Sequence, residues 1–219
     1  TGLHNRRYSD ERIEEECARA KRDGSYQFGV ILVDLNNFKD INDTCGHAAG
    51  DELLKRLGQL FGKTLRSQDL LARLGSDEFG ILLESCQKDE AIEIAQRIKK
   101  QVKENRFIWE GQIFEITISI GMVEINEHAH DYNELLTCAD IACYAAKERG
   151  RDSVVWFTPD DVEYNKRKAE MQWAPRIKRA AEEDLFVLYQ QPMACLQKES
   201  APYAEFLVRM KGDGRLIAP

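Results

Sequence analysis

The sequence has no apolar run long enough to cross a bilayer, and no apolar stretch follows the charges of Thr1-Gly2-Leu3-His4-Asn5-Arg6-Arg7. A membrane span or secretory leader is therefore not expected in these residues. A surplus of basic residues is also missing. Lys and Arg number 31 against 38 Asp and Glu, for a net charge of -7 and a pI near 5.3. That argues against binding a nucleic-acid polymer, which needs a basic footprint. The six cysteines, at 17, 45, 86, 138, 143 and 195, include no CxxC pair, as expected of reduced thiols in a cytoplasmic chain. Cys45 and His47 lie close together, but two ligands without a second pair make no zinc site. There is no GxxxxGK and no GxGxxG, so neither a P-loop nor a dinucleotide-binding turn has support. The expected localisation is cytoplasmic, with any membrane anchor of the full-length protein lying in other segments.

What is present suits a globular chain. Its 219 residues fit one or two domains, and a 43% hydrophobic fraction can build a core. Ile13, Cys17 and Ala20 sit at helical spacing within 8–23. Phe28 to Val33 is a β-rich apolar run, read as a buried strand with Asp34 at its C-terminal end. Leu53, Leu54, Leu57, Leu60 and Phe61 mark one face of a helix over about 48–65. Residues 70–74 and 79–83 read as a hairpin turning at Gly75-Ser76-Asp77-Glu78. A helix fits 88–105, strands fit 106–109, 112–116 and 117–124, a helix fits 132–149, and a short strand fits 153–157. The order predicts an α+β fold, an α/β sandwich with helices on a mostly antiparallel sheet. Pro159 marks a boundary; the charged 160–184 stretch reads as a linker helix, and a new strand starts at Phe186. The expected division is 1–158, 159–184 and 185–219.

Asp34 ends a buried strand, and Asp77 and Glu78 lie on a hairpin tip. Taken singly, Asp34 caps the next helix and the other two are polar turn residues. Taken together, carboxylates at neighbouring strand ends suit Mg²⁺, which binds carboxylates and substrate phosphates. Asn42 and Asp51 offer groups that can read a guanine edge, and Lys39, Lys147 and Arg151 can neutralise phosphate oxygens.

These residues resemble those of GGDEF domains, the diguanylate cyclases. The matching runs are Thr1 to Arg7, Val33-Asp34-Leu35-Asn36-Asn37-Phe38-Lys39, Ile41-Asn42-Asp43, Gly46-His47-Ala48-Ala49-Gly50-Asp51, Arg73 to Phe79, Ser119-Ile120-Gly121, Ala139 to Lys147 and Gly150-Arg151. The resemblance implies a palm-like nucleotidyl-cyclase fold and condensation of two GTP into cyclic di-GMP with loss of pyrophosphate. It implies two Mg²⁺ (or Mn²⁺) per half-site, held by Asp34, Asp77 and the Leu35 carbonyl, with Asp77, Glu78 and Lys39 in catalytic roles. Asn42, Asp51, His47, Phe38, Gly75 and Ser76 would surround the nucleotide, and Lys147 and Arg151 would hold its phosphates. Each half-site would take one GTP, so catalysis would need a homodimer. Arg66-Ser67-Gln68-Asp69 resembles the family's RxxD inhibitory site, with Arg97 as helper, and would bind cyclic di-GMP. Ser76 departs from the signature's second glycine, where a positive φ or close backbone approach is expected.

Tyr189-Gln190-Gln191-Pro192 and Ala204-Glu205-Phe206-Leu207-Val208-Arg209 resemble the opening of an EAL-type phosphodiesterase domain. About 35 residues cannot close a barrel, so no phosphodiesterase activity is expected from this chain itself. Two functions stay open: an active cyclase, or a degenerate module that binds GTP or cyclic di-GMP and regulates an adjoining EAL domain.

Overall fold

The computed structural model describes residues 1–23, 28–125, 132–158, 173, 176–193, 203–212 and 215–217. The chain divides into two compact units, Thr1–Tyr164 and Asn165–Pro219. In the first, β1 (His4–Asn5) leads into α1 (Arg6–Arg22), capped by the Asn5 side chain accepting from the Tyr8 N–H at 3.0 Å. Then come β2 (Phe28–Leu35), α2 (Phe38–Cys45), α3 (His47–Thr64), β3 (Leu70–Arg73) and β4 (Glu78–Leu83). They are followed by α4 (Lys88–Glu104), β5 (Phe107–Trp109), β6 (Gln112–Phe114), β7 (Ile118–Ile125), α5 (Tyr132–Glu148) and β8 (Val154–Trp156).

Six strands form one sheet in the order β1-β3-β4-β2-β7-β8. The three central pairings are antiparallel and the two outer ones, β1 with β3 and β7 with β8, are parallel. The fold is α+β, with a mixed, mostly antiparallel sheet between helices, as the residue patterns predict. Strand alternation sorts the core. Ile31, Val33, Leu35, Phe79, Ile81 and Leu83 pack with α2, α3 and α4, while Val30, Leu32 and Leu82 pack with α1 and α5. Burial of this apolar surface on both faces supplies the main stabilisation, at roughly 25 cal/mol per Å².

The helix α2 was not expected. Its eight residues are bracketed by Asn37 in the left-handed region (φ 58°) and Gly46 (φ 81°), which squeeze a short helix between two turns. Between β5 and β6, Glu110 and Gly111 both have positive φ (47° and 81°), as a two-residue hairpin turn requires. In the second unit, β9 (Phe186–Met193), β10 (Tyr203–Gly212) and β11 (Arg215–Ile217) form a three-stranded antiparallel sheet ordered β11-β10-β9. Glu205 pairs in register with Gln191, and Arg209 with Val187. Of the expected 159–184 helix, residues 173 and 176–182 are helical and 183–184 form a turn, while 159–172, 174 and 175 lie outside the described residues.

Candidate active site

The period of two along a strand puts Asp34 on the same face as Val30 and Leu32, and Glu78 on the same face as Leu82. Asp34 and Glu78 are direct partners in the β2–β4 register, so two carboxylates stand side by side on the α1/α5 face. Helix α5 lies hard against this face. A Cβ at Gly121 would stand 2.2 Å from the Cys143 nitrogen and 2.3 Å from the Ala139 carbonyl oxygen. This close approach delivers Lys147, whose Nζ is 2.6 Å from Asp34 Oδ2. Burial pushes the Asp34 carboxyl above its usual range; Lys147 opposes this, and Asp77 and Asp140 add to it. Glu78 is also raised, first by burial and then by Asp34, with Arg6 acting in the opposite sense.

Backbone bonds fix the tip between β3 and β4. The Leu74 N–H donates to the Glu78 carbonyl at 2.9 Å, and the Leu35 N–H to the Asp77 carbonyl at 3.1 Å. The Arg73 guanidinium donates to the carbonyls of Gly75 and Ser76, both at 2.9 Å. Ser76 corrects an expectation. It is exposed and is not among the residues with positive φ, so its backbone does not require glycine. Its hydroxyl donates to Asp77 Oδ1 at 2.5 Å. The side chain points at the neighbouring carboxylate and restrains it.

Arg6 and Asp140 escaped the sequence reading as site residues. Arg6, at the start of α1, donates from Nε to the Leu74 carbonyl at 3.0 Å and lies 3.5 Å from Glu78 Oε2. Asp140 stands seven residues before Lys147 on α5, two helical turns away on the same face. Only the tertiary packing of α1 and α5 brings these groups to the tip.

Gly50 accounts for how Asn42 and Asp51 come together. A Cβ there would meet Asn42 Oδ1 at 2.1 Å and Phe38 Cζ at 3.0 Å, so the Asn42 amide of α2 rests against the backbone of α3 beside Asp51. Phe38 is buried in the core and backs this corner. His47 opens α3, and Lys39, in the first turn of α2, is exposed. Arg151 follows α5; its N–H donates to the Lys147 carbonyl at 3.2 Å, so the two cations sit on consecutive backbone turns.

The RxxD residues form a separate cluster at the end of α3. The Asp69 carboxylate accepts from the Arg66 N–H at 2.8 Å, and the Asp69 N–H returns to the Arg66 carbonyl at 3.1 Å. Arg97 of α4 donates to the Thr64 carbonyl at 3.0 Å, which brings it to the same helix end. The Arg66 guanidinium is paired with Glu90, an acid of α4 that the sequence did not flag.

Among the described residues, no group of three or more His, Cys, Asp or Glu side chains forms a cage for a cation. The donor chemistry suits a hard divalent ion that brings its own ligands. Mg²⁺ commonly takes one or two carboxylates plus water and substrate phosphate. Asp34 and Asp77 supply hard oxygens that repel each other without a cation between them, and the Leu35 backbone is tied to Asp77 beside them. No described helix is long and apolar enough to cross a membrane.

Comparison with known proteins agrees with this architecture. The chain is 41% identical over 159 residues to the probable diguanylate cyclase DgcE of Escherichia coli, spanning 73% of this chain and 14% of that one. It is 35% identical over 224 residues to the cyclic di-GMP phosphodiesterase PdeB of Shewanella oneidensis, spanning 100% of this chain and 25% of that one. The chain thus spans a quarter or less of the length of these two relatives. The solved GGDEF domain of DgcB from Caulobacter crescentus, in complex with c-di-GMP, superposes with a TM-score of 0.68 at 26% identity, covering 71% of this chain and 89% of that one. Residues 1–153 match the family model described as diguanylate cyclase, GGDEF domain, and by this match, its fold and its carboxylate-bearing hairpin, the chain belongs to the GGDEF family of diguanylate cyclase domains.

Proposed function

We propose that residues 1–158 bind GTP with a divalent metal and, as a homodimer, condense two GTP molecules into cyclic di-GMP and pyrophosphate. The observation that carries this reading is the juxtaposition of Asp34 and Glu78, register partners at the strand ends, with Lys147 at 2.6 Å from Asp34 and with Asp77 next to Glu78 in the chain and close enough to raise both carboxyls. Mg²⁺ or Mn²⁺, two per half-site, would be held by Asp34, Asp77 and the Leu35 carbonyl, and would supply activation of the 3′-hydroxyl and charge neutralisation at the leaving group.

The residues divide the remaining work. Asn42 and Asp51 hydrogen-bond the guanine edge, with His47, Phe38, Gly75 and Ser76 shaping the space around the nucleoside. Lys147, Arg151 and Lys39 hold the triphosphate. Asp77 assists removal of the 3′-hydroxyl proton, and Glu78 stays oriented by Arg6. Nucleotide entry exchanges one partner of Lys147: its ammonium leaves Asp34 Oδ2 for phosphate, freeing the carboxylate oxygen that would hold a cation. Arg66, Asp69 and Arg97 bind cyclic di-GMP as a product-inhibitory site.

A second reading has its own support in the likeness to PdeB, which runs through the C-terminal residues as well. Under it, the domain binds GTP or cyclic di-GMP without turnover and regulates an adjoining EAL-type phosphodiesterase domain. Residues 185–219 would be the first piece of that domain and 159–184 its linker. Under both readings the segment works in the cytoplasm.

Calorimetric titration with GTP tests the shared part. Binding that requires Mg²⁺, and disappears in Asp34→Ala, is expected. Equal, metal-independent binding by wild type and mutant would remove Asp34 from the site.

A further inference from the structure

The chain leaves α5 through three successive residues with positive φ: Gly150 (97°), Arg151 (62°) and Asp152 (42°). Glycine takes this region freely. Two following residues with a Cβ do so only when their surroundings hold them there. Aspartate tolerates it better than most, whereas arginine has no such preference.

The restraints are visible. The N–H groups of Gly150 and Arg151 both donate to the Lys147 carbonyl, at 3.3 and 3.2 Å. On the far side, α4 contributes two lysines one turn apart. Lys99 Nζ donates to the Asp152 carbonyl at 3.1 Å, and Lys103 Nζ to Asp152 Oδ2 at 2.8 Å. Oδ1 of Asp152 is buried without a hydrogen-bond partner, so Lys103 is the carboxylate's anchor among the described residues. Arg151 is exposed, and no ion pair holds its guanidinium among the described residues. Its backbone is therefore pinned while its charged end is left for a ligand.

We infer that Asp152 is a positioning residue: clamped by Lys99 and Lys103, it holds the left-handed turn that aims Arg151 at the triphosphate. This rests on the reading of Arg151 as a phosphate clamp. The pair itself adds little to stability, because Lys103 is largely exposed and such ion pairs are screened. Its effect falls on ligand affinity, through the placement of one guanidinium.

The test is equilibrium binding of GTP, and separately of GMP, to the full chain with Mg²⁺. The variants are Lys103→Met, Asp152→Ala, Asp152→Asn and Arg151→Ala, together with Asp152→Ala combined with Arg151→Ala. Arg151→Ala should weaken GTP binding about tenfold or more, as loss of a charge-assisted contact does. Lys103→Met and Asp152→Ala should each weaken it about two- to fivefold. Asp152→Asn, which keeps the left-handed tolerance and an acceptor for Lys103, should recover most of that loss. In the Arg151→Ala background, Asp152→Ala should add nothing, since coupled residues are not additive. GMP affinity should stay constant throughout. Multiplying losses in the double variant, or a parallel fall in GMP binding, would overturn the positioning role. Unchanged GTP binding in Arg151→Ala would instead overturn the clamp reading, and the inference with it.

Discussion

At the scale of single residues, the hairpin tip separates geometry from signature. Ser76 breaks the sequence pattern without breaking the backbone, because its φ is not one that glycine alone adopts. What serine adds is a hydroxyl bonded to Asp77. Ser76→Gly should therefore leave the melting temperature nearly unchanged and alter turnover by no more than about tenfold, the scale of one hydrogen bond. Gly50 behaves differently. Gly50→Ala drives a methyl group into the Asn42 amide, so GTP affinity should fall by more than cyclic di-GMP affinity, as titration of both ligands would show.

The raised carboxyl of Glu78 gives a pH prediction. A carboxyl whose folded pKa lies above its unfolded value binds protons more tightly in the folded state. Its stabilising contribution is present below the unfolded pKa and is lost as pH rises through the folded one. Metal-free Glu78→Gln should gain melting temperature relative to wild type as pH climbs from about 4 towards neutrality, with no gain at the acid end. A constant difference across that range would contradict the direction of the shift.

At the scale of elements, the buried strand, the hairpin and the long helices were legible because their periods of 2 and 3.6 are written in local apolar residues. The short α2 was not, because turns at Asn37 and Gly46 define it more than any apolar face. Asp34, Asp77 and Lys147 could be singled out by type and motif. Arg6 and Asp140 lie inside matching runs that give them no role, and Glu90 and Asp152 lie outside those runs; the place of all four comes from packing between elements distant in sequence. The pairing of Glu90 with Arg66 has a consequence for the RxxD cluster. A dianionic ligand must displace that carboxylate, so Glu90→Ala should tighten cyclic di-GMP binding, and Arg66→Ala should weaken it roughly ten- to hundredfold. GTP affinity should change in neither. Parallel losses of both nucleotides in Arg66→Ala would mean one shared site.

At the scale of the whole molecule, the proposed reaction gives each chain one nucleotide face, and under that proposal joining two GTP molecules requires two such faces to meet. The chain is acidic overall, so long-range attraction does not draw nucleotides in. Under the proposed function, affinity comes from the local cations Lys39, Lys147 and Arg151, and turnover from Asp34, Asp77 and Glu78. In the second unit, β9 holds Tyr189 to Pro192 and β10 holds Ala204 to Arg209, paired antiparallel. The cyclase reading is tested most directly by incubating the protein, held as a dimer by a fused coiled coil, with GTP and Mg²⁺, and separating the nucleotides by chromatography. The account predicts cyclic di-GMP and pyrophosphate from the wild type, and neither from Asp34→Ala. GTP recovered intact from a wild-type dimer that binds it would contradict catalysis and leave the binding module as the function.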